Sequence, residues 1–415
     1  MRRWQIAPLS LSHQRGLRRR IGMSKYRILV LGGGYTGIVV AGQLARRMPR
    51  DGASVTLVTG SATRDERMRW HQLATGQTYP LLSIPDALKG SGAQVEIAHI
   101  EHIDLAQLSV HLGGREPLAY DSLVVALGSV IDTDSVPGVR AHAHGLTDVA
   151  SITTAAGKLA AAPDGTRVVV VGGGLTGIEL VTEIAEAYPR LQVSTVSSRT
   201  PGDWLSAAGR QHLERTLDGF GVERIIGRVT SIGEASVGLA DGRDVPSALT
   251  FWAGGFRANP LVASSGLAVD ELGRAYVDQT FRTVDHPDVW VVGDAARVAG
   301  RDGEPLKMGC RTGAFMALSA PQMIVRQLGG GEARPFSGRY FAECISLGRH
   351  DALLQWLTPE GEPTERIMTG RSAMAMKEFI HRGNQFVPRH PGPYMPARRA
   401  HLASATGARR EMIET

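Results

Sequence analysis

RILVLGGGYTGIVVAGQLARRM, Arg27 to Met48, is the stretch whose reading decides the fold. The apolar run from Ile28 to Leu31 has the length of one buried strand. Gly32, Gly34 and Gly37 follow as G-x-G-x-x-G, and Ile38, Val39, Ala41, Leu44 and Ala45 then recur at helical spacing. In a strand–turn–helix of this kind each glycine has a reason. The first permits the tight turn, the second lets the backbone approach a pyrophosphate, and the third lets helix and strand pack closely. Tyr35 and Thr36 stand at the helix start, where open N–H groups and the positive dipole end favour phosphate.

One such motif says little in a chain with 50 glycines; a second copy says much more. Val168 to Val171 is another apolar strand, leading into Gly172, Gly174 and Gly177 with Leu175 and Thr176 between them. GGGYTGI at 32 and GGGLTGI at 172 differ at one residue and begin 140 positions apart. That period is too long for a solenoid repeat and right for one domain each. The fold expected is α/β, with two Rossmann-like dinucleotide-binding domains.

Composition narrows the class. A chain of 415 residues exceeds one core and divides into domains. Hydrophobic content of 43% and charged content of 21% are those of an ordinary globular protein. No apolar run is long enough to span a membrane as a helix. Cys310 and Cys344 are the only cysteines, which excludes a disulfide framework, a cysteine-rich metal site and a C-x-x-C pair, and fits a reduced, cytoplasmic setting. The net charge of +6 comes from residues 1–22, with six arginines and no acid; 40 basic and 40 acidic residues remain. Nucleic-acid binding is therefore not expected. Residues 1–22 read as a disordered extension ahead of MSKYRILVLGGG.

Between and beyond the two motifs the chain carries further signals. A strand from Ala53 to Val58 ends at Thr59, where a dinucleotide fold commonly has an acid holding a ribose. In HQLATGQTYPLLSIPDALKG, His71 reads either as a structural histidine or as a cofactor-lining one. VEIAHIEHIDLAQLSVHLGGREPLAY reads as an antiparallel meander, followed by the strand Leu123 to Leu127, with Ala126 and Gly128 at its end. In the second unit, Glu179 and Glu183 share a helix face. The strand after it ends in Ser197, Ser198 and Arg199, again without an acid; an arginine there favours a 2′-phosphate and so NADPH over NADH. FWAGGFRANP, with Gly255, reads as a crossing back to the first domain. VWVVGDAA then places Gly293 and Asp294 at a strand's carboxyl end, the edge where such sheets bind ligands.

Taken together these stretches resemble the two-dinucleotide flavoproteins, the pyridine nucleotide-disulfide-reductase-like oxidoreductases. HQLATGQTYPLLSIPDALKG further resembles the flavin-side loop of type II NADH:quinone dehydrogenases and related bacterial FAD-dependent oxidoreductases. The resemblance implies FAD in the first unit, on Gly32, Gly34 and Gly37, and NAD(P)H in the second, on Gly172, Gly174 and Gly177. It implies that Asp294 meets the flavin's ribityl chain and that Glu179 lies where nicotinamide meets flavin. The NAD(P) domain is then an insertion: residues 23–150 and 257–330 form the FAD domain, 151–256 the NAD(P) domain, and 331–415 a C-terminal α+β region. The chain departs from the disulfide-reductase branch in lacking C-x-x-C. It departs from the quinone-reducing branch in reading KMGCRTGAFMALSAPQM, without paired glutamines, where that branch has a Gln-rich helix start. Cys310 stands near that start, where a thiol pKa falls or where a small residue is simply buried.

The function expected is that of an FAD-dependent NAD(P)H oxidoreductase. Hydride passes from NAD(P)H to FAD, and electrons then pass to a small-molecule acceptor. Glu179 is the candidate acid or base, and no metal is called for. The alternatives are a membrane-surface quinone dehydrogenase, a biosynthetic tailoring flavoenzyme and a non-catalytic redox sensor. RSAMAMKEFIHRG reads as an amphipathic helix exposing Met374, Phe379 and Ile380. From Arg371 onward eight basic residues face three acids, so this end suits a membrane surface, a second copy of the chain or the flavin domain itself.

Overall fold

The computed structural model of the chain describes residues 25–300 and 303–390. The extension read at 1–22 lies outside them.

Two five-stranded parallel sheets carry the architecture. The first has the order Val289–Val291, Ser122–Val125, Tyr26–Leu31, Ala53–Thr59, Gln94–Ile97. The second has the order Ala143–Gly145, Leu249–Trp252, Arg167–Val171, Gln192–Ser197, Glu223–Ile226. In each, the strand before the glycine turn is central. These strands read as nearly continuous apolar runs because helices cover both faces; Ile28, Val30, Leu31, Val168, Val169 and Val170 are fully buried. All strands of the second sheet lie between Val125 and Val289, so the second unit is inserted into the first. Ser129–Ile131 and Phe256–Ala258 pair antiparallel where the chain leaves and returns. Gly128 and Gly255, both in the left-handed region, turn the chain at that crossing.

Local readings need two corrections. Gln94–Ile97 joins the first parallel sheet, and the meander is Ile100–Asp104, Ser109–Leu112 and Leu118–Ala119. Short alternating segments do not reveal which sheet will take them. Ala143–Gly145 pairs with the second sheet, so the passage into the second unit falls before residue 150.

After helix Cys310–Leu328, three antiparallel strands, Ala342–Ser346, Ala352–Leu357 and Pro363–Thr369, lead into helix Gly370–Arg389. This helix is inverted relative to a usual surface helix. Ala373, His381 and Pro388 are buried and Lys377 and Asn384 half-buried, whereas Met376, Phe379, Ile380 and Phe386 are exposed, Phe379 at 72%. The expected exposure holds for Phe379 and Ile380. Met374 instead is half-buried against the cluster of Ala352, Leu354 and Ala373.

The two glycine turns are near-copies in space. A Cβ on Gly37 would lie 1.9 Å from the carbonyl oxygen of Gly32, and one on Gly177 would lie 1.8 Å from that of Gly172. Gly32 and Gly172 have φ of +108° and +127°, and a Cβ on either would strike the backbone of Ala126 or Ala253. Backbone oxygen cannot step aside as a flexible side chain would. Gly177→Ala is expected to cost about 2 kcal/mol or more through overpacking, lowering the unfolding midpoint and weakening NAD(P)H binding. An unchanged midpoint with unchanged NAD(P)H binding contradicts this packing.

Candidate dinucleotide site

Within the two G-x-G-x-x-G turns, a Cβ on Gly34 or Gly174 would meet nothing within 4 Å, whereas one on the first or last glycine would strike backbone. They cap helices Tyr35–Arg47 and Leu175–Ala187 in extended conformation, without a side-chain cap. The helices at Ile84, Val149, Ala207 and Pro260 each take a capping oxygen from Ser83, Asp148, Ser206 or Asn259. The first-turn N–H groups at both glycine turns are therefore left for an external acceptor, and the open space lies in front of them. Dinucleotide pyrophosphates fit both cradles.

The side chains around the first cradle are placed as follows. Thr36 Oγ1 donates to the Gly313 carbonyl (3.3 Å) and abuts Gly293, locking the cradle helix to helix Cys310–Leu328. Tyr35 turns away: its hydroxyl donates to Glu66 at 3.1 Å, and burial beside that carboxylate raises its pKa. Any role of Tyr35 at the cradle falls to its backbone. Thr59 lies under the turn, its hydroxyl bonded within the Thr59–Ser61 turn and closing on Gly33. Ser197 repeats this under Gly173, with its hydroxyl donating to the Arg199 carbonyl (2.6 Å). Neither strand end presents an acid.

Asp294 lies at the carboxyl edge of the first sheet. Ser129 donates to one of its oxygens at 2.7 Å, and the Gly309 N–H donates to the other at 2.8 Å. Arg67 donates to the Ser129 carbonyl at 2.6 Å and lies over the rings of Trp70 and Phe256. Burial lowers the Arg67 pKa although Asp294 opposes the shift. Cys310 opens the helix beyond Gly309. Its surface is exposed, but it lies deep in the cleft, and loss of hydration pushes its thiol pKa up. Lys377 and Arg311 oppose that rise, and Glu179 and Asp294 add to it.

Glu179 is 5% exposed and occupies a junction of three parts of the chain. Its Oε1 accepts from the Lys377 ammonium and from the Ser346 N–H, and its Oε2 lies 3.6 Å from His71 Nδ1. His71 thus comes from the short helix Trp70–Leu73, Glu179 from the second cradle helix, and Lys377 from the inward face of the last helix. Burial, with Lys377, Arg69 and Arg349 nearby, holds His71 well below its ordinary pKa. Glu183, one turn on, is fully enclosed. Arg349 and Gln77 donate to it, yet burial keeps its pKa raised.

Ser198 and Arg199 are exposed at the edge of the second sheet, and Arg199 is 83% exposed with Asp203 at 3.8 Å. Sequence reasoning missed Ser129, Arg67, Lys377, Ser346 and His381. Lys377 and His381 stand four apart in RSAMAMKEFIHRG, a helical spacing that became meaningful once the polar stripe was known to face inward.

Comparison with known proteins agrees with this geometry. A family model described as pyridine nucleotide-disulphide oxidoreductase matches residues 26–313, and the chain belongs to that family. It is an FAD-dependent NAD(P)H oxidoreductase. An NADH dehydrogenase-like protein of Mycobacterium tuberculosis is 25% identical over 87% of this chain and 94% of its own. A type II NADH:quinone oxidoreductase of Staphylococcus aureus is 24% identical over 87% of this chain and 95% of its own. The sulfide:quinone oxidoreductase of Aquifex aeolicus superposes with a TM-score of 0.75 at 18% identity, covering 88% of this chain and 92% of that one.

Buried histidines at this junction make acid stability testable. His381 is held down to about 3 by burial first, then by Arg69, Lys377 and His71, with Glu179 opposing. The unfolded chain protonates this imidazole near pH 6.5, the folded chain only near 3. Across that window the unfolded state binds more protons, so folding stability falls as pH drops from 6.5 towards 3. His381→Gln removes the titrating group, and its denaturation midpoint is expected to fall less than that of the wild type over the same range. Parallel curves for the two proteins contradict the assignment.

Proposed function

We propose that this protein passes electrons from NADPH through FAD to a quinone-type acceptor at a membrane surface. The observation carrying this reading is the inverted C-terminal helix, which sends Lys377 inward to Glu179 and exposes Met376, Phe379, Ile380 and Phe386 outward. A patch of this kind on a helix is an interaction surface. Arg371, Arg382 and Arg389 on the same helix add attraction to anionic lipid. The type II NADH:quinone oxidoreductase relative supports the acceptor class. No helix among the described residues is long and apolar enough to cross a membrane.

In this reading Gly32, Gly34 and Gly37 cradle the FAD pyrophosphate, with the backbones of Tyr35, Thr36 and Ala126 around it. Thr59 supports the turn. Asp294, oriented by Ser129 and the Gly309 N–H, accepts hydrogen bonds from the ribityl hydroxyls, and Gly128, Gly293 and Cys310 border the flavin. Gly172, Gly174 and Gly177, with Leu175, Thr176 and Gly255, hold the nicotinamide nucleotide. FAD supplies the acceptance of a hydride and its release as electrons. Glu179, held by Lys377 and the Ser346 N–H, stands between the nucleotides and exchanges a proton at its carboxylate.

The NADPH preference rests on Ser198 and Arg199, with no acid at the strand end to repel a 2′-phosphate. Asp203 offsets part of the Arg199 charge, and the pair is exposed, so the preference is modest. Arg199→Ala is expected to weaken NADPH binding several-fold and leave NADH binding unchanged, read from flavin bleaching at increasing nucleotide. Equal loss for both nucleotides contradicts the assignment.

Phe379→Ser with Ile380→Ser is expected to reduce co-sedimentation with anionic vesicles without loss of bound flavin. Co-sedimentation equal to the wild type contradicts the docking face.

A further inference from the structure

The reaction class leaves one proton to be accounted for. NAD(P)H gives up a hydride, two electrons and one proton, whereas a two-electron acceptor such as a quinone takes up two electrons and two protons. One proton per turnover comes from solvent. Yet Glu179, the carboxylate between the cradles, is 5% exposed and enclosed by three parts of the chain.

The buried surroundings of Glu179 contain polar nitrogens without partners. His71 Nε2 is one; its other nitrogen, Nδ1, lies 3.6 Å from Glu179. His381 Nδ1 is another. His71 and His381 are 3% and 5% exposed, and His381 lies close enough to feel the charge of both His71 and Glu179. His381 sits one helical turn beyond Lys377 on the inward stripe of helix Gly370–Arg389. Unpartnered polar atoms are costly in a protein interior, and each of these two nitrogens keeps a donor or acceptor position open for a proton.

We propose that His381 and His71 form the proton inlet of the cleft, handing one solvent proton per turnover to Glu179. The inlet rests on the quinone-type reading above. A proton arriving at His71 Nε2 releases the proton on Nδ1 to Glu179, and the ring returns by exchanging tautomers. Both rings act as neutral conduits, not as stores of charge, because burial first, and then Lys377 and Arg69, disfavour a resident imidazolium. Further charged groups packed against these elements are Glu183, which already accepts from Arg349 and Gln77, Glu378, which pairs with Arg69 at the surface, and the Arg64–Glu66 pair beside Asn384 and Gln385. His71 and His381 act through Glu179 and position the proton; neither touches the nucleotides in this account.

The test separates the two halves of the reaction. The holoenzyme is bleached anaerobically with NAD(P)H and then mixed with a short-chain quinone in weak buffer holding a pH-indicator dye. Flavin recovery and proton uptake are followed together. In His381→Leu, bleaching by NAD(P)H is expected to match the wild type while proton uptake slows by about tenfold or more, and added imidazole restores it. His71→Leu slows uptake to a similar degree, and the double variant is no slower than either alone, because the groups act in series. If His381→Leu loses its flavin, His381→Gln, which keeps the volume but cannot relay through a ring, shows the same slowing. Wild-type proton uptake in these variants, or slowing that imidazole does not relieve, overturns the inlet. Failure of NAD(P)H to bleach the wild-type flavin overturns the functional reading itself and is seen before quinone is added.

Discussion

Two contacts between backbone atoms set the terms for the rest of the molecule. At Gly37 and Gly177 a helix rests directly on the carbonyl of the glycine that ends the preceding strand, leaving no room for a side-chain carbon. That closeness aims the uncapped helix start at the space in front of Gly34 and Gly174. Surrounding features reinforce the same geometry. Thr59 and Ser197 fill the floor below each turn, and Ala126 and Ala253 close its side. Thr36 ties the first cradle to Gly313, so the last helix of the flavin unit is registered against it.

The second organising feature is the junction at Glu179. A carboxylate so enclosed is expensive unless it is paired and hydrogen-bonded. Here the Lys377 ammonium and the Ser346 N–H meet that need, with His71 Nδ1 3.6 Å from the other oxygen, and each comes from a different part of the chain. The C-terminal strands and helix are therefore more than an appendage. They close over Glu179 on the second cradle helix. Arg349 on Glu183 and His350 on Glu186 bind the same strands to the second unit along its cradle helix. The polar inward stripe that makes these bonds leaves the helix's apolar residues facing out, so the interior chemistry and the exterior surface are two sides of one arrangement.

How much of this was legible in the chain follows from what kind of contact is involved. The cradles were readable because glycine spacing and apolar runs are local, and a near-identical repeat removes doubt about either copy. Asp294 was readable because a strand end followed by Gly-Asp has a fixed place in such sheets. Gln94–Ile97 and Ala143–Gly145 were not, since short strands are assigned by long-range pairing. Arg67, Ser129 and Ser346 take their roles from neighbours remote in sequence. Lys377 and His381 are hidden for a subtler reason. In RSAMAMKEFIHRG the apolar stripe suggests the inward face, and in the fold it points outward. Cys310 illustrates the limit of helix-end arguments: its position at a helix start was evident, but the desolvation that raises its thiol pKa depends on the whole cleft.

The account stands or falls on two nucleotides meeting across one cleft. The most direct measurement is anaerobic mixing of the purified protein, as it is isolated, with NADPH while its visible absorption is followed. The account predicts a yellow protein with one FAD per chain whose band is bleached completely by one equivalent of NADPH. A protein that holds no FAD, or a bound flavin that neither NADPH nor NADH reduces, would contradict it.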